Sequence, residues 1–204
     1  MDGKTIINVG RQFAARGKDI AAEIGKMLDI PVYDGELLTR AAAASGLSPE
    51  LFKNCDESRR VLNLGSIFGM DRFTTSLGTG LNDAEIFRIQ SDVIRDIASK
   101  GSAVFVGRAA DYILREERCL NVFVTAPVDA RADRIARKAG ISHEEAVKLA
   151  IRRDKARQSF YNYYTFKDWG VASNYHLCVD SSILGIEGTA RLIIDFGRRA
   201  GLIG

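Results

Sequence analysis

The feature that most constrains this chain is a set of four short apolar runs, each followed by a loop and then by an amphipathic helical pattern. The runs, rich in β-branched residues, cover 5–9, 103–106, 120–125 and 177–179. They are continuous rather than alternating, as strands are when helices cover both faces of a sheet. Strand, helix and strand in succession give a parallel pair with a right-handed crossover. The expected architecture is therefore α/β, a three-layer α/β/α sandwich on a parallel sheet, with a fifth short strand at 31–33. Helices are predicted over 18–28, 35–45, 84–99, 128–138, 142–161 and 188–200.

Some boundaries carry their own chemistry. In GISHEEAVKLA, Ser142 and Glu145 have the spacing of a capping box, and in GLSPELF Ser48 and Pro49 stand as N-cap and first helical residue. The stretch 65–80, rich in Gly, Ser and Thr, breaks periodicity and is expected to be a mobile loop. A chain of 204 residues, 46% of them hydrophobic, can bury one sizeable core, so one domain is expected.

The formal charge of +3 comes from 29 basic and 26 acidic residues spread along the chain, which gives no nucleic-acid footprint by itself. Cys55, Cys119 and Cys178 are odd in number and far apart, and two of them lie in apolar runs where a reduced thiol behaves as a small hydrophobe. That pattern suits a reducing cytoplasm. No apolar stretch approaches the ~20 residues that span a bilayer, so no membrane association is expected. His143 and His176 lack a second ligand at useful spacing, and no zinc site is expected.

Ligands in parallel α/β sheets collect where strands end and helices begin, because helix N-termini present N–H groups to anions. Four such junctions here carry cations: GRQFAARGKD, VYDGELLTR, VGRAADY and APVDARADRIARK. One arginine at one strand end says little, whereas cations at successive junctions of one sheet would meet in one crevice. Further on, AIRRDKARQ places Arg153, Asp154 and Arg157 on nearby turns of one helix, followed by SFYNYYTFKDWG. This reads either as an exposed salt-bridged helix with an aromatic docking face or as a lid that closes over phosphates.

The segments TIINVGRQFAARGKDIAAEIGKMLDIPVYD, AEIFRIQSDVIRDIASKGSAVFVGRAADYILR, VFVTAPVDARADRI and IRRDKARQSFYNYYTFKDWGVASNYHLCVDSS, in this order, resemble the cytidylate-kinase-like family. The resemblance implies a P-loop nucleoside monophosphate kinase fold, with an acceptor-binding region at about 34–82 and a lid at about 131–170. Tyr33, Asp34 and Arg40 look like the monophosphate-side segment, with Gly35 at the place of a small polar residue. Arg108 matches the arginine of a glycine-arginine-aspartate motif that grips the monophosphate, and Ala109 stands where the aspartate would be. Arg131 and Arg134 resemble the arginines that begin the lid. Asp154 and Arg157 match its aspartate-x-x-arginine pattern, and Asp180 resembles the acidic residue closing the last strand.

The loop that should hold ATP departs from the family. Small residues normally let backbone N–H groups face the phosphates, a lysine neutralises them and a hydroxyl holds magnesium. Relatives carry glycine-serine-glycine-glycine where this chain has Ala14, Ala15, Arg16 and Gly17. Gly17 occupies the lysine site, Lys18 the next, and Asp19 the hydroxyl site, where it would either hold metal or cap the helix. Arg11, Arg16 and Lys18 could form a cradle of side chains instead.

The resemblance implies a phosphotransferase using ATP and Mg2+, with a pyrimidine nucleoside monophosphate as acceptor. Lys18, Arg131 and Arg157 would be catalytic, Arg11, Arg16, Gly17, Lys18 and Asp19 would bind the donor, and Asp34, Arg40, Arg108, Arg134, Asp154 and Asp180 the acceptor. The altered loop also allows a nucleotide- or phosphometabolite-binding protein that uses the same crevice without turnover. In a third reading, the tyrosines at 161, 163 and 164 stack nucleic-acid bases, although aromatics at helical spacing are more often packing.

Overall fold

In the computed structural model, which describes residues 4–37 and 83–204, all five expected strands lie in one parallel sheet. They are β1 (Ile6–Arg11), β2 (Val32–Tyr33), β3 (Ala103–Val106), β4 (Leu120–Thr125) and β5 (Leu177–Asp180), in the order β2-β3-β1-β4-β5. The register sets Ile7 of β1 opposite Val104 of β3 and Leu120 of β4. β1 is therefore central, and its carboxyl end has a strand end on either side.

Alternate residues of each strand face different helices. Ile7, Val9, Val104, Val106, Leu120, Val122 and Val124 point to one side, where they meet helix α1 (Gly17–Leu28) and the chain's last helix. The other side, from Ile6, Ala103 and Phe105, meets α2 (Asp83–Lys100) and the four-residue α3 (Ala110–Ile113). Helix α1 buries Ile20, Ala21 and Ile24, a spacing that forms one helical stripe. It ends at Asp29, whose left-handed backbone lets its N–H donate to the Gly25 carbonyl.

Helices α4 (Val128–Ala139) and α5 (His143–Thr165) form a hairpin beyond β4. Gly140, with φ 67°, closes α4, and Ser142 opens α5. The expected capping box is present: the Glu145 N–H donates to Ser142 Oγ at 3.3 Å, and the Ser142 N–H donates to Glu145 Oε2 at 2.9 Å. His143, at the start of α5, contacts Asp133 at 2.9 Å and Asp129 at 3.3 Å, both on α4. These two carboxylates raise the imidazole pKa.

The last helix, α6 (Ser181–Arg199), begins earlier than the predicted residue 188. Asp180 caps it by accepting from the Ser182 N–H at 2.8 Å, and Gly185 (φ 66°) makes a kink that interrupts the helical periodicity. α5 likewise runs past the predicted 161. Cys119 is buried as expected, but Cys178, on the edge strand β5, is exposed. Residues 35–37 start the predicted second helix. Its remainder, the Ser48–Pro49 boundary, Arg40, Cys55 and the stretch 65–80 lie outside the described residues. No helix among the described residues is long and apolar enough to cross a membrane.

Ile193 of α6 is fully buried against the sheet. Ile193→Ala should destabilise the protein by about 2–5 kcal/mol in urea unfolding, through lost burial plus the cavity it leaves. A change below about 1 kcal/mol would mean that this face is not close-packed.

Candidate active site

Between β1 and α1 the chain makes a tight loop in which Ala14 (φ 59°) and Arg16 (φ 60°) adopt left-handed backbone. Such a conformation costs a residue with a Cβ roughly 1–2 kcal/mol. Six non-glycine residues among those described have positive φ, and two of them, Asp29 and Phe166, end helices. The other four are Ala14, Arg16, Arg108 and Ala109, in the loops after β1 and β3. The first loop keeps a glycine-type path without the glycines.

The loop is pinned from several sides. The Gln12 N–H donates to the Val124 carbonyl at 3.0 Å, and Gln12 Oε1 accepts from the Ala126 N–H at 3.2 Å and from the Thr125 hydroxyl. Ser181 Oγ donates to the Ala15 carbonyl at 2.8 Å. Arg16 is the N-cap of α1 and no side chain caps that end, so Asp19 is not the helix cap; it is an exposed residue of the first turn. The first-turn N–H groups of α1 therefore keep the partial positive charge of an uncapped helix start.

Helix α5 lies along this loop and presents Asp154, Arg157 and Tyr161, each about a turn from the next. Asp154 Oδ1 accepts from the Phe13 N–H at 2.6 Å, and Oδ2 accepts from Arg131 Nη1 at 2.6 Å. Arg131, only 5% exposed, also donates to the carbonyls of Ala126 at 2.9 Å and Phe13 at 3.2 Å. Arg134 donates to the Ala14 carbonyl at 2.6 Å; burial and then the nearby Arg16 lower its pKa. Arg131, Arg134 and Asp154 thus hold the loop itself. Arg157 donates to the Arg11 carbonyl at 3.0 Å and lies over the Phe13 ring. Tyr161 donates to Asp111 Oδ2 at 2.6 Å.

Beside these contacts is a pocket lined by Arg11 from the end of β1, Arg108 from the loop after β3, and Arg153 and Arg157 from α5. Asp111, Tyr161, Trp169 and Tyr175 also line it. Burial raises the pKa of Asp111 against the opposing hydrogen bond from Tyr161, and burial together with the Asp111 carboxylate raises both tyrosines. Of the cations expected to converge, Arg11, Arg108 and Arg157 line this pocket, whereas Lys18 pairs with Asp34 and Arg131 with Asp154. Asp111 went unrecognised, although an acidic residue three positions after the arginine in VGRAADY was its visible trace. Of the three tyrosines, Tyr161 is buried and Tyr164 stacks on Phe87 at 4.0 Å, whereas Tyr163 is exposed.

Lys18 and Asp34 form a separate pair at 2.6 Å. Asp34 also accepts from the N–H groups of Glu36 at 3.1 Å and Leu37 at 3.0 Å, which caps the helical turn at 35–37. Burial pushes the Asp34 pKa up, but hydrogen bonds from Lys18 and Leu37 outweigh it and leave the carboxyl below its ordinary value; the same hydrogen bond raises Lys18. Asp180 serves as the α6 cap, on the Arg134 side of the loop. His176 Nδ1 accepts from the Asn121 N–H at 3.0 Å. No group of three or more potential metal ligands occurs among the described residues.

A family model described as the cytidylate kinase-like family matches residues 6–183. A protein described as cytidylate kinase from Aeropyrum pernix is 32% identical over 133 residues, which is 60% of this chain and 77% of that protein. An uncharacterized protein from Eubacterium ventriosum has a crystal structure that matches with TM-score 0.69 and 23% identity, covering 95% of this chain and 98% of its own. A shikimate kinase from Bacteroides thetaiotaomicron matches with TM-score 0.56 and 12% identity, covering 96% and 99%. At these identities the structures establish the fold.

Asp154→Ala leaves the Arg131 guanidinium buried without its carboxylate and should cost about 3 kcal/mol in unfolding experiments; an unchanged stability would show that the pair is open to water. Asp34, with its lowered pKa, contributes stability that is present above the ordinary carboxyl value of 3.8 and is lost as pH falls through the folded-state value. The stability gap between the wild type and Asp34→Asn should therefore close on acidification. A gap that widens in acid would refute the pairing.

Proposed function

This chain belongs to the cytidylate kinase-like family, and from that premise we propose that it transfers the γ-phosphate of ATP to a nucleoside monophosphate, a pyrimidine one by preference, in the pocket framed by Arg11, Arg108, Arg153 and Arg157. One observation carries this reading: four guanidinium groups from three separate elements line one pocket at the carboxyl edge of the sheet. Phosphoryl transfer spreads negative charge over the moving group and its neighbours, so it requires positioned cations rather than a covalent nucleophile. The uncapped start of α1 and the side chain of Arg16 would hold the donor polyphosphate. Arg11 and Arg157 would face the moving phosphoryl group, and Arg108 would grip the acceptor phosphate. Asp34 and Arg40 would orient the rest of the acceptor, Asp180 is instead engaged as the α6 cap, and Arg131, Arg134 and Asp154 keep the loop in shape.

Mg2+ bound between phosphates usually keeps several waters and takes one or two carboxylates from the protein. Asp19, exposed in the first turn of α1, fits that demand and would hold the ion. Bound there, Mg2+ would neutralise part of the phosphate charge. Lys18 would leave Asp34 to reach the donor.

That last requirement favours the second reading, binding without turnover, because Lys18 is engaged 2.6 Å from Asp34 and not over the loop. A screen of CMP, UMP, dCMP, AMP and GMP with ATP and Mg2+ separates the two. Product with CMP or UMP at the highest kcat/KM supports the kinase, and Arg157→Ala should then lower kcat/KM about 100-fold or more. Monophosphate binding with no product from any acceptor would establish the binding protein instead.

A further inference from the structure

Two glycines in this site stand where arginines need bare backbone. A Cβ on Gly35 would overlap the Arg108 guanidinium, 2.7 Å from Nε and 2.8 Å from Cζ and nearer still to Nη2. A Cβ on Gly107 would likewise overlap the Arg11 guanidinium. Arg11 and Arg108 both line the pocket, and both reach it from fixed backbone: Arg11 ends β1, and Arg108 sits in left-handed backbone after β3. The remaining freedom of each side chain is in its rotamers, and a glycine face removes the obstacle to one of them.

We propose that Gly35 is a positioning residue for phosphate recognition: its missing side chain gives the Arg108 guanidinium a flat seat between the end of β2 and the loop after β3, and so aims it into the pocket. Gly107 gives Arg11 the same kind of seat. The inference rests on the reading of this pocket as the acceptor-phosphate site, and it names what sets the geometry there.

The chemistry follows from the shape of the guanidinium. Arginine recognises phosphate through two parallel N–H donors in one plane, so a displacement of about an ångström or a tilt of the plane loses one of the two bonds. A methyl group at residue 35 would not disturb the core, because the atoms it meets are the far end of a flexible side chain. Residue 35 is helical and lacks positive φ, so alanine there suits the backbone better than glycine does. Stability and recognition should consequently move in opposite directions.

The decisive experiment is a double-mutant cycle of Gly35→Ala and Arg108→Ala, read by calorimetric binding of inorganic phosphate and of CMP, with melting temperatures for every variant. Gly35→Ala should weaken both ligands about tenfold, the effect of losing one charge-assisted hydrogen bond, while its melting temperature stays level or rises. In the Arg108→Ala background the same alanine should have no further effect. Wild-type affinity in Gly35→Ala, or fully additive losses in the double variant, overturns the proposal. If the cycle behaves as expected while no monophosphate is phosphorylated, the transfer reading fails and the positioning role of Gly35 stands. If the wild type binds neither ligand, both fall.

Discussion

The carboxylate of Asp154 sits between a buried guanidinium and a loop N–H, 2.6 Å from each, and this three-way contact joins the α4–α5 hairpin to the loop at the end of β1. Buried ion pairs are poor sources of net stability, since desolvation offsets most of their attraction. Their value is in position. Phe13 is held at its N–H by Asp154 and at its carbonyl by Arg131, the Ala14 carbonyl by Arg134, and the Ala15 carbonyl by Ser181. Three consecutive residues are thus fixed by side chains from α4, α5 and α6. Strained backbone persists when its surroundings over-determine it, and Ala14 lies in the middle of this set.

Much of the fold can be read directly from the chain, and the reason is local. β1, β3 and β4 are buried on both faces, so their apolar runs are continuous and their ends fall within a residue or two of expectation. The early start of α6 was hidden because Gly185 breaks its period, and α3 is shorter than any period can reveal. Cys178 reads as buried because the short apolar run 177–179 does not distinguish an edge strand from a central one.

The site was legible only where charge type and strand ends were enough. Arg11 and Arg108 follow from that logic, Arg157 from its aspartate-x-x-arginine spacing, and all three line one pocket. The roles of Arg131 and Asp154 do not, because the partner of Asp154 is a backbone group 141 residues away, and no spacing rule encodes such a contact. Asp111 and Tyr161, 50 residues apart, were missed for the same reason. Lys18 shows the converse failure: its neighbours in sequence suggest a phosphate, and its neighbour in space is Asp34.

A glycine-rich cradle and an arginine-lined pocket solve the anion problem in different ways. Backbone N–H groups carry small partial charges but are aimed without further loss of freedom, whereas a guanidinium carries a full charge on a long side chain that must be ordered before it can discriminate. In this chain the loop after β1 takes left-handed backbone at two residues that are not glycine, Ala14 and Arg16, and the neighbouring pocket is lined by four arginines. Discrimination among anions by such a pocket would depend on whatever restricts those side chains. Arg157 is tied to the Arg11 carbonyl and stacked on Phe13, while Arg11 and Arg108 rest against glycine backbone. In an anion site of this kind, the order that a cradle builds into the main chain would come from the shape of the surfaces on which the arginines lie.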